Sequence, residues 1–223
     1  MSTNPDHGLG RRYAYDGRDK LYSVAARLRP LELSERLYRY WNPAGWWGDQ
    51  GYLPHCVAFA WTHWLEDGPV TQPGPAPVIN PAVLYAEAQR IDEWEGEDYD
   101  GTSVRAGAKC LKKAGFVSEY RWATSLEQVV QTLLELGPMV VGTNWYRGMS
   151  EPDDAGFMSV DGPNDGGHAW LLNGVNVKKG VIRMKNSWGR NWGNNGMAFV
   201  SFEDMARLIA EDGEACIATE VRK

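Results

Sequence analysis

The chain has 223 residues, of which 43% are hydrophobic, and a formal net charge of −6. This length and composition suit one large domain or two modest lobes with a sizeable core. The charge is spread without a basic stripe, which argues against nucleic acid as a partner. No stretch approaches the roughly 20 apolar residues that cross a bilayer, so we expect no membrane association.

The N-terminal residues 1–12 are polar and lack the apolar core of a secretory signal, so we expect a cytoplasmic protein. A signal removed earlier, or secretion by another route, stays open. The three cysteines cannot all pair and their spacing indicates no metal site, and no cofactor is expected. We expect Cys110 to be a small buried hydrophobe and Cys216 to be a free thiol. A frame without disulfides suits a reducing compartment.

Helical signals dominate the first half of the chain. Pro54, near the start of an apolar run that ends around Leu65, predicts a helix with Cys56 in its first turn. The positive end of a helix dipole favours a thiolate at that position. Further helices are predicted from N-terminal caps at Asn80, at Thr102 or Ser103, and at a capping box over residues 124–127.

The second half changes to short apolar or alternating runs separated by glycine and asparagine turns, which predicts antiparallel strands. These runs cover residues 139–142, 169–177, 181–184 and 197–201, and a short helix follows at residues 203–209. Helices followed by strands predict an α+β fold with a helical lobe and a strand-rich lobe.

Three separate motifs carry the candidate catalytic groups. They are Asp-Gln-Gly at 49–51 ahead of Cys56, Gly-His-Ala at 167–169, and Lys-Asn-Ser-Trp-Gly at 185–189. A thiol becomes a good nucleophile as a thiolate, which needs an imidazole base and a group that orients the ring. Cys56, His168 and Asn186 can fill these roles. Gln50 offers a side-chain amide for the oxyanion that forms on an attacked carbonyl.

Each of these four residues has an ordinary explanation when it is taken alone. They would be a buried apolar thiol, a core histidine, a turn residue and a solvated loop residue. Their occurrence together favours catalysis. His55 adjoins the nucleophile, but neighbouring helical residues point about 100° apart, so we expect a structural or rim role for it and for His63.

At these motifs the chain resembles the papain-like cysteine peptidases, over about residues 40–218 and in the family's order of Gln, Cys, His and Asn. The run at residues 185–196 carries every fixed feature of the family's asparagine motif. The surroundings of Cys56 depart from the family's usual Cys-Gly-Ser/Ala-Cys-Trp/Tyr pattern, since no cysteine lies just upstream and no aromatic residue follows.

The resemblance implies the two-lobed papain-like fold, with a helical left lobe, an antiparallel β-barrel-like right lobe and the active site in the cleft between them. It also implies a single catalytic domain over residues 1–223. The helical lobe is expected at about residues 40–118. The strand-rich lobe is expected at about residues 119–223, together with the N-terminal residues 1–39.

The resemblance further implies a substrate site. Gly101, with Asp100 beside it, is similar to the family's segment that pairs with the substrate backbone on the acyl side. Gly167 and Trp188 are the other substrate-binding candidates. Trp188 and Trp192 are expected to shield the pair formed by the catalytic histidine and asparagine from water, which would strengthen that hydrogen bond.

The activity implied is hydrolysis of a peptide or protein substrate through a Cys56 thiolate, a His168 imidazolium and a thioester intermediate. If an amine resolved the same thioester, the chain would be a peptide ligase or transamidase, and a side-chain amide substrate would make it an amidase. A catalytically silent papain-like binding module is a third interpretation.

Two features bear on specificity and regulation. Residues 92–100 contain six acids, which beside a substrate groove could favour basic substrates, although a solvated acidic loop is the favoured interpretation. About fifty residues precede Gln50, too few for a folded prodomain as well as the family's usual N-terminal strand. We therefore expect either a narrow, harmless cleft or restraint by an inhibitory or delivery partner.

Overall fold

The computed structural model describes residues 7–28, 37–41, 46–69 and 76–221. Within these residues the chain forms five α-helices and seven strands. The helices are α1 (Cys56–Asp67), α2 (Pro81–Gln89), α3 (Val104–Lys113), α4 (Leu126–Glu135) and α5 (Phe202–Ala210). The strands are β1 (Tyr38–Tyr40), β2 (Val117–Ala123), β3 (Met139–Tyr146), β4 (Asn164–Asn176), β5 (Val181–Lys185), β6 (Met197–Ser201) and β7 (Glu214–Glu220).

The strands form one antiparallel sheet in the order β2-β7-β3-β4-β5-β6, and β1 pairs with β4 outside this path. The long strand β4 is central because it pairs with β1, β3 and β5. In the described part of the chain β2 and β6 do not pair, so the sheet is open. The predicted α+β class is confirmed, and the strand-rich lobe is an open antiparallel sheet.

The helix starts predicted from the caps Asn80 and Ser103 are confirmed for α2 and α3, whereas α4 has its N-cap at Ser125, one residue after the start of the predicted capping box. Each of the three side chains accepts a hydrogen bond from a backbone N–H of the first turn. α1 begins at Cys56, and the side chain of its N-cap His55 makes no capping hydrogen bond. The first-turn N–H groups of α1 therefore surround the cysteine without a capping side chain.

Two hydrophobic cores lie on either side of the site. The first joins α1, α2 and α3 and contains Trp61 and Trp64, and the second lies between the sheet, α4 and α5. The indole nitrogens of Trp61 and Trp64 donate to the carbonyl oxygens of Val104 and Pro138, each at 2.9 Å. α1 is thereby fixed against both α3 and the start of β3.

A buried ion pair ties the far end of α1 to the sheet. Lys185 Nζ lies 2.9 Å from Asp67 Oδ1, and both side chains are fully buried. Asn173 Nδ2 donates to the other carboxylate oxygen at 3.0 Å. Because Lys185 precedes Asn186, this pair also holds the end of β5 that carries the asparagine. Among the described residues no helix is long and apolar enough to cross a membrane.

Candidate active site

The thiol of Cys56 lies where α1 meets β4. Its Sγ accepts a hydrogen bond from the backbone N–H of Ala169 at 3.4 Å. Ala169 follows His168 directly in β4, so the sulfur lies beside the histidine's own strand. Cys56 is fully buried, and its position at the first residue of α1 agrees with the sequence-based prediction.

His168 is held by Asn186. Nε2 of the ring lies 2.8 Å from Asn186 Oδ1, which also accepts the N–H of Ser187 at 2.8 Å. Because an amide oxygen only accepts, Nε2 carries the hydrogen and Nδ1 keeps its lone pair. Nδ1 is buried and has no hydrogen-bond partner in the described part of the chain. The ring nitrogen able to take a proton is therefore the one left free on the side away from Asn186.

Tryptophan rings enclose the imidazole. Trp188 lies 4.9 Å from the His168 ring, between centroids, at an interplanar angle of 35°. Trp145 meets the same ring edge-on at 4.6 Å and 71°. Trp192 packs edge-on against Trp188 at 5.6 Å and supports it from behind. The sequence did not predict the contact of Trp145 with His168, because nothing distinguishes this residue from the other ten tryptophans of the chain.

Gln50 has an oriented side-chain amide. Its Oε1 accepts the hydroxyl of Ser187, and its backbone N–H donates to the Ser187 carbonyl at 2.8 Å. With the oxygen engaged in this way, Nε2 points the opposite way and donates to Leu53 O at 2.7 Å and to Gly8 O at 3.0 Å. The structure therefore brings Gln50, Cys56, His168 and Asn186 to one place.

Residues 7–12, called here the covering segment, lie across this site. Gly8 donates its N–H to Gly51 O at 2.9 Å, and the ring of His7 stacks on Trp188 at 4.4 Å and 16°. The N–H groups of Gly10 and Arg11 both donate to Gly167 O, at 3.1 and 3.0 Å. The covering segment therefore contacts two of the predicted substrate-binding residues.

The covering segment also pairs with the chain next to Gly101. Thr102 donates its N–H to Gly10 O at 2.9 Å, and Arg12 donates to Thr102 O at 2.9 Å, in a parallel bridge. A β-carbon on Gly101 would lie 2.2 Å from Gly10 O, so only glycine permits this approach. Asp100, the other predicted residue of this stretch, is exposed.

The covering segment itself depends on glycine. A β-carbon on Gly8 would lie 2.2 Å from Leu53 O, and one on Gly10 would lie 2.2 Å from Pro54 O. Both oxygens belong to the backbone just before Cys56, so the covering segment and this stretch are in direct backbone contact. We expected a separate partner or a narrow cleft to restrain this site, and the sequence did not reveal that residues 7–12 cover it. Their polar, glycine-bearing sequence resembles an ordinary terminus.

Burial sets the protonation of the covered site. It raises the pKa of the Cys56 thiol to about 12, although the Ala169 N–H acts in the opposite direction. It lowers the pKa of His168 to about 4, against the effect of the Asn186 hydrogen bond. The covered site therefore holds a neutral thiol and a neutral imidazole, because the cost of desolvating a charge outweighs the stabilisation that the positive end of α1 gives to a thiolate.

His55, His63, Cys110 and Cys216 are part of the packing of the protein. His55 packs on the Tyr85 ring at 4.0 Å, and buried His63 accepts the N–H of Gly48 at 3.0 Å. Cys110 and Cys216 are buried free thiols, as expected. Among the residues described, no group of His, Cys, Asp and Glu is arranged to hold a metal ion.

No family model matches the chain. It is 24% identical over 159 residues to the cathepsin B-like cysteine proteinase 6 of Caenorhabditis elegans, a match over 61% of this chain and 41% of that protein. It is 32% identical over 88 residues to a cysteine protease of Blomia tropicalis, covering 37% of this chain and 26% of that protein. The chain thus spans less than half the length of either relative.

Among solved structures, xylellain, a cysteine protease from Xylella fastidiosa, superposes with a TM-score of 0.77. The two are 20% identical, and the match covers 100% of this chain and 99% of that one. This chain therefore has the papain-like fold, and in sequence and in fold it resembles papain-like cysteine proteases.

Proposed function

We propose that this chain, which has the papain-like fold, is a cysteine peptidase that hydrolyses peptide bonds. The observation that carries the proposal is the orientation of His168. Its Nε2 is engaged by Asn186 at 2.8 Å, and its Nδ1 is unpartnered in the strand that contacts Cys56 Sγ. His168 Nδ1 is therefore available as the base that accepts the thiol proton of Cys56, and acyl transfer by a thiol requires such a base.

Acylation begins when the thiol proton of Cys56 moves to His168 Nδ1 and the sulfur attacks the peptide carbonyl. The carbonyl oxygen gains negative charge, and Gln50 Nε2 donates to it together with the backbone N–H of Cys56. When the tetrahedral intermediate collapses, the C–N bond breaks and His168 gives its proton to the leaving amine. The products are a thioester on Cys56 and a free amine.

Deacylation uses the same groups. His168, neutral again, takes a proton from a water molecule, and the hydroxide attacks the thioester carbonyl. Cys56 leaves as the thiolate and recovers the proton from the imidazolium. Throughout, Asn186 Oδ1 accepts from Nε2–H, so Nδ1 is the nitrogen that exchanges a proton with the sulfur.

The contacts of the covering segment support an extended substrate in the same groove. Thr102 N–H and Gly167 O are a backbone donor and a backbone acceptor that any peptide can use, because they recognise main-chain atoms. Trp188, on which His7 stacks, offers an aromatic face at the other end. Substrate and covering segment would use the same atoms, so the segment must leave before a peptide binds.

The proposal is tested by hydrolysis of a fluorogenic peptide library. The chain is compared with Cys56→Ser, which keeps a hydroxyl, and with Cys110→Ser as the matched control at a second buried thiol. We expect cleavage by the chain and by Cys110→Ser and none by Cys56→Ser. Equal cleavage by the chain and Cys56→Ser would show that the activity does not come from this thiol.

A further inference from the structure

Two side chains of α2 hold the stretch of chain that pairs with the covering segment. Gly101 donates its backbone N–H to the hydroxyl oxygen of Tyr85 at 2.9 Å. Nε2 of Gln89 donates to the carbonyl oxygens of Tyr99 at 2.8 Å and of Gly101 at 3.3 Å. Tyr85 and Gln89 are four residues apart, so they lie on one face of α2, and they are only 9% and 8% exposed.

The bond from Gln89 bears directly on the donor in the groove. The carbonyl oxygen of Gly101 and the N–H of Thr102 belong to the same peptide unit, and in a planar trans unit these two groups point in opposite directions. Gln89 binds the oxygen on the side of α2, and the N–H of Thr102 donates to Gly10 O on the other side. The contact with Gln89 therefore orients the N–H that reaches into the groove.

The stretch needs this support because it has little structure of its own. Residues 99–102 belong to no helix or strand, and Gly101 has a φ of +87°, which glycine adopts readily and other residues rarely do. With a backbone this permissive, the direction of the Thr102 N–H is set by the groups that bind its neighbours. Gln89 and Tyr85 are the side chains that bind the main-chain atoms of Gly101.

We propose that Gln89 and Tyr85 are positioning residues of the peptidase, which hold the peptide unit between Gly101 and Thr102 so that its N–H meets a carbonyl oxygen of the substrate backbone. The inference rests on the proposed peptidase function and adds two residues outside the four catalytic ones. Both act through Gly101. They should therefore affect the binding of a peptide backbone and leave the chemistry at Cys56 unchanged.

The ring of Tyr85 makes a second contact that a conservative variant preserves. It packs on the ring of His55 at 4.0 Å between centroids, and His55 is the N-cap of α1 and precedes Cys56. Phenylalanine at position 85 would keep this ring contact and remove the hydroxyl alone. Tyr85→Phe therefore isolates the hydrogen bond to Gly101.

Asp92 supports the same stretch in a different way. Its carboxylate accepts the hydroxyls of Tyr99 at 2.5 Å and of Thr102 at 2.8 Å. These bonds hold side chains, so they anchor the stretch without fixing the direction of a peptide unit. With Asp92 in place, Gln89→Met or Tyr85→Phe should reorient one peptide unit without unfolding the stretch.

The first experiment uses the covering segment in place of a substrate and needs no catalysis. Because the Thr102 N–H is bonded to Gly10 O, its hydrogen exchange reports how well the peptide unit meets an extended chain. We expect exchange at Thr102 to be about fivefold faster in Gln89→Met and in Tyr85→Phe than in the unaltered chain.

The matched control is Tyr146→Phe, which removes a hydroxyl that donates to Glu211 at 2.6 Å, away from this stretch. Exchange at Thr102 should not change in this variant. The amides of α3, which follow directly in the chain, report any general loss of stability. Unchanged exchange at Thr102 in both α2 variants, or an equal rise throughout α3, would overturn the positioning role.

The second experiment measures turnover in the Gly10→Ala background, where the covering segment no longer competes for the Thr102 N–H. Peptides are compared with analogues in which one acyl-side amide is replaced by an ester, whose carbonyl oxygen is a weaker acceptor. We expect one ester position to raise KM about three- to tenfold. Adding Gln89→Met or Tyr85→Phe should raise KM for the amide peptide by a similar factor and leave kcat within about twofold.

The two changes should also be non-additive. Once Gln89→Met or Tyr85→Phe has misdirected the Thr102 N–H, the ester should cost little more, so the ratio of KM values for ester and amide should approach one. Tyr146→Phe should keep the full ratio. A ratio unchanged by the α2 variants, or a loss confined to kcat, would overturn the positioning role. No cleavage of any peptide, with faster exchange at Thr102 still observed, would overturn the peptidase instead.

Discussion

The carbonyl oxygen of Gly8 accepts a 3.0 Å hydrogen bond from Gln50 Nε2. In the mechanism that we propose, this amide donates to the oxyanion of the substrate, so a carbonyl of the chain itself takes the place of that oxyanion. The parallel bridge between Arg11 and Thr102 gives the covering segment its direction, and its C-terminal end lies beside the residues that we propose to pair with the acyl side of a substrate. A substrate presents its N-terminal part there, so the covering segment runs the opposite way and offers no peptide bond in a cleavable orientation.

The covering segment should limit access to Cys56. Gly10→Ala places a methyl group against the Pro54 backbone, where no side chain can move aside, and should displace the segment. We expect iodoacetamide to label Cys56 about tenfold faster, which corresponds to about 1.4 kcal/mol. Gly17→Ala is the matched control, because its nearest neighbour is a Tyr15 side-chain atom at 3.7 Å. Equal labelling rates in the two variants would contradict a covering role.

The oriented imidazole predicts unequal losses at two positions. His168→Ala removes the base and should lower kcat by about 10³-fold or more, whereas Asn186→Ala leaves the base and should lower kcat by about 10- to 100-fold. KM should change little in both variants, because neither side chain contacts a substrate backbone position. Initial rates over a range of peptide concentrations give the two constants. A loss at Asn186 as large as that at His168 would contradict a purely orienting role.

The depressed pKa of His168 predicts how stability depends on pH. Its pKa is lowered from 6.5 to about 4 by burial, so the unfolded chain binds a proton where the folded chain does not. This contribution is present above pH 6.5 and is lost as the pH falls towards about 4. His63, whose pKa is also lowered by burial, contributes with the same sign. Urea unfolding at about pH 7 and about pH 4.5 should show a smaller stability loss for His168→Gln than for the chain itself, and equal losses would refute the assignment.

The buried pair under the site predicts a large stability effect. Lys185→Met leaves the fully buried Asp67 carboxylate without its cation and should lower the free energy of unfolding by about 3–5 kcal/mol. Arg90→Met removes one partner of an ion pair whose side chains are 54% and 46% exposed and should cost about 0–1 kcal/mol. Chemical denaturation of both variants checks the contrast. A similar small change in the two would mean that the buried pair is not needed.

Local signals in the sequence located the helices and the candidate residues. The caps Asn80, Ser103 and Ser125 act on their own first turns, so short stretches of sequence suffice to find them. Strands β2 and β7 were missed because β2 mixes exposed and half-buried positions and β7 is flanked by acids, which hides the alternation. β4 begins earlier than predicted, since Asp-Gly-Gly before His168 resembles a turn.

Other features of the site depend on contacts between residues far apart in the sequence, so the sequence did not predict them. The covering segment is ordered by bonds to residues around positions 51, 102 and 167, none of which is visible from residues 7–12 alone. The contact between Arg11 and Glu214 joins the two ends of the chain. The neutral state of Cys56 also could not be predicted from the sequence, because the desolvation that raises its pKa arises from the packing of the site.

Reaction of the full chain with an epoxysuccinyl peptide probe, followed by mass spectrometry of the modified peptide, identifies the nucleophilic thiol. All three cysteines are buried and free, so packing alone does not favour Cys56. We expect one adduct, on Cys56, which forms faster in Gly10→Ala and much less in His168→Ala. Modification of Cys110 or Cys216 with Cys56 unreacted, in the chain and in Gly10→Ala alike, would rule out Cys56 as the nucleophile.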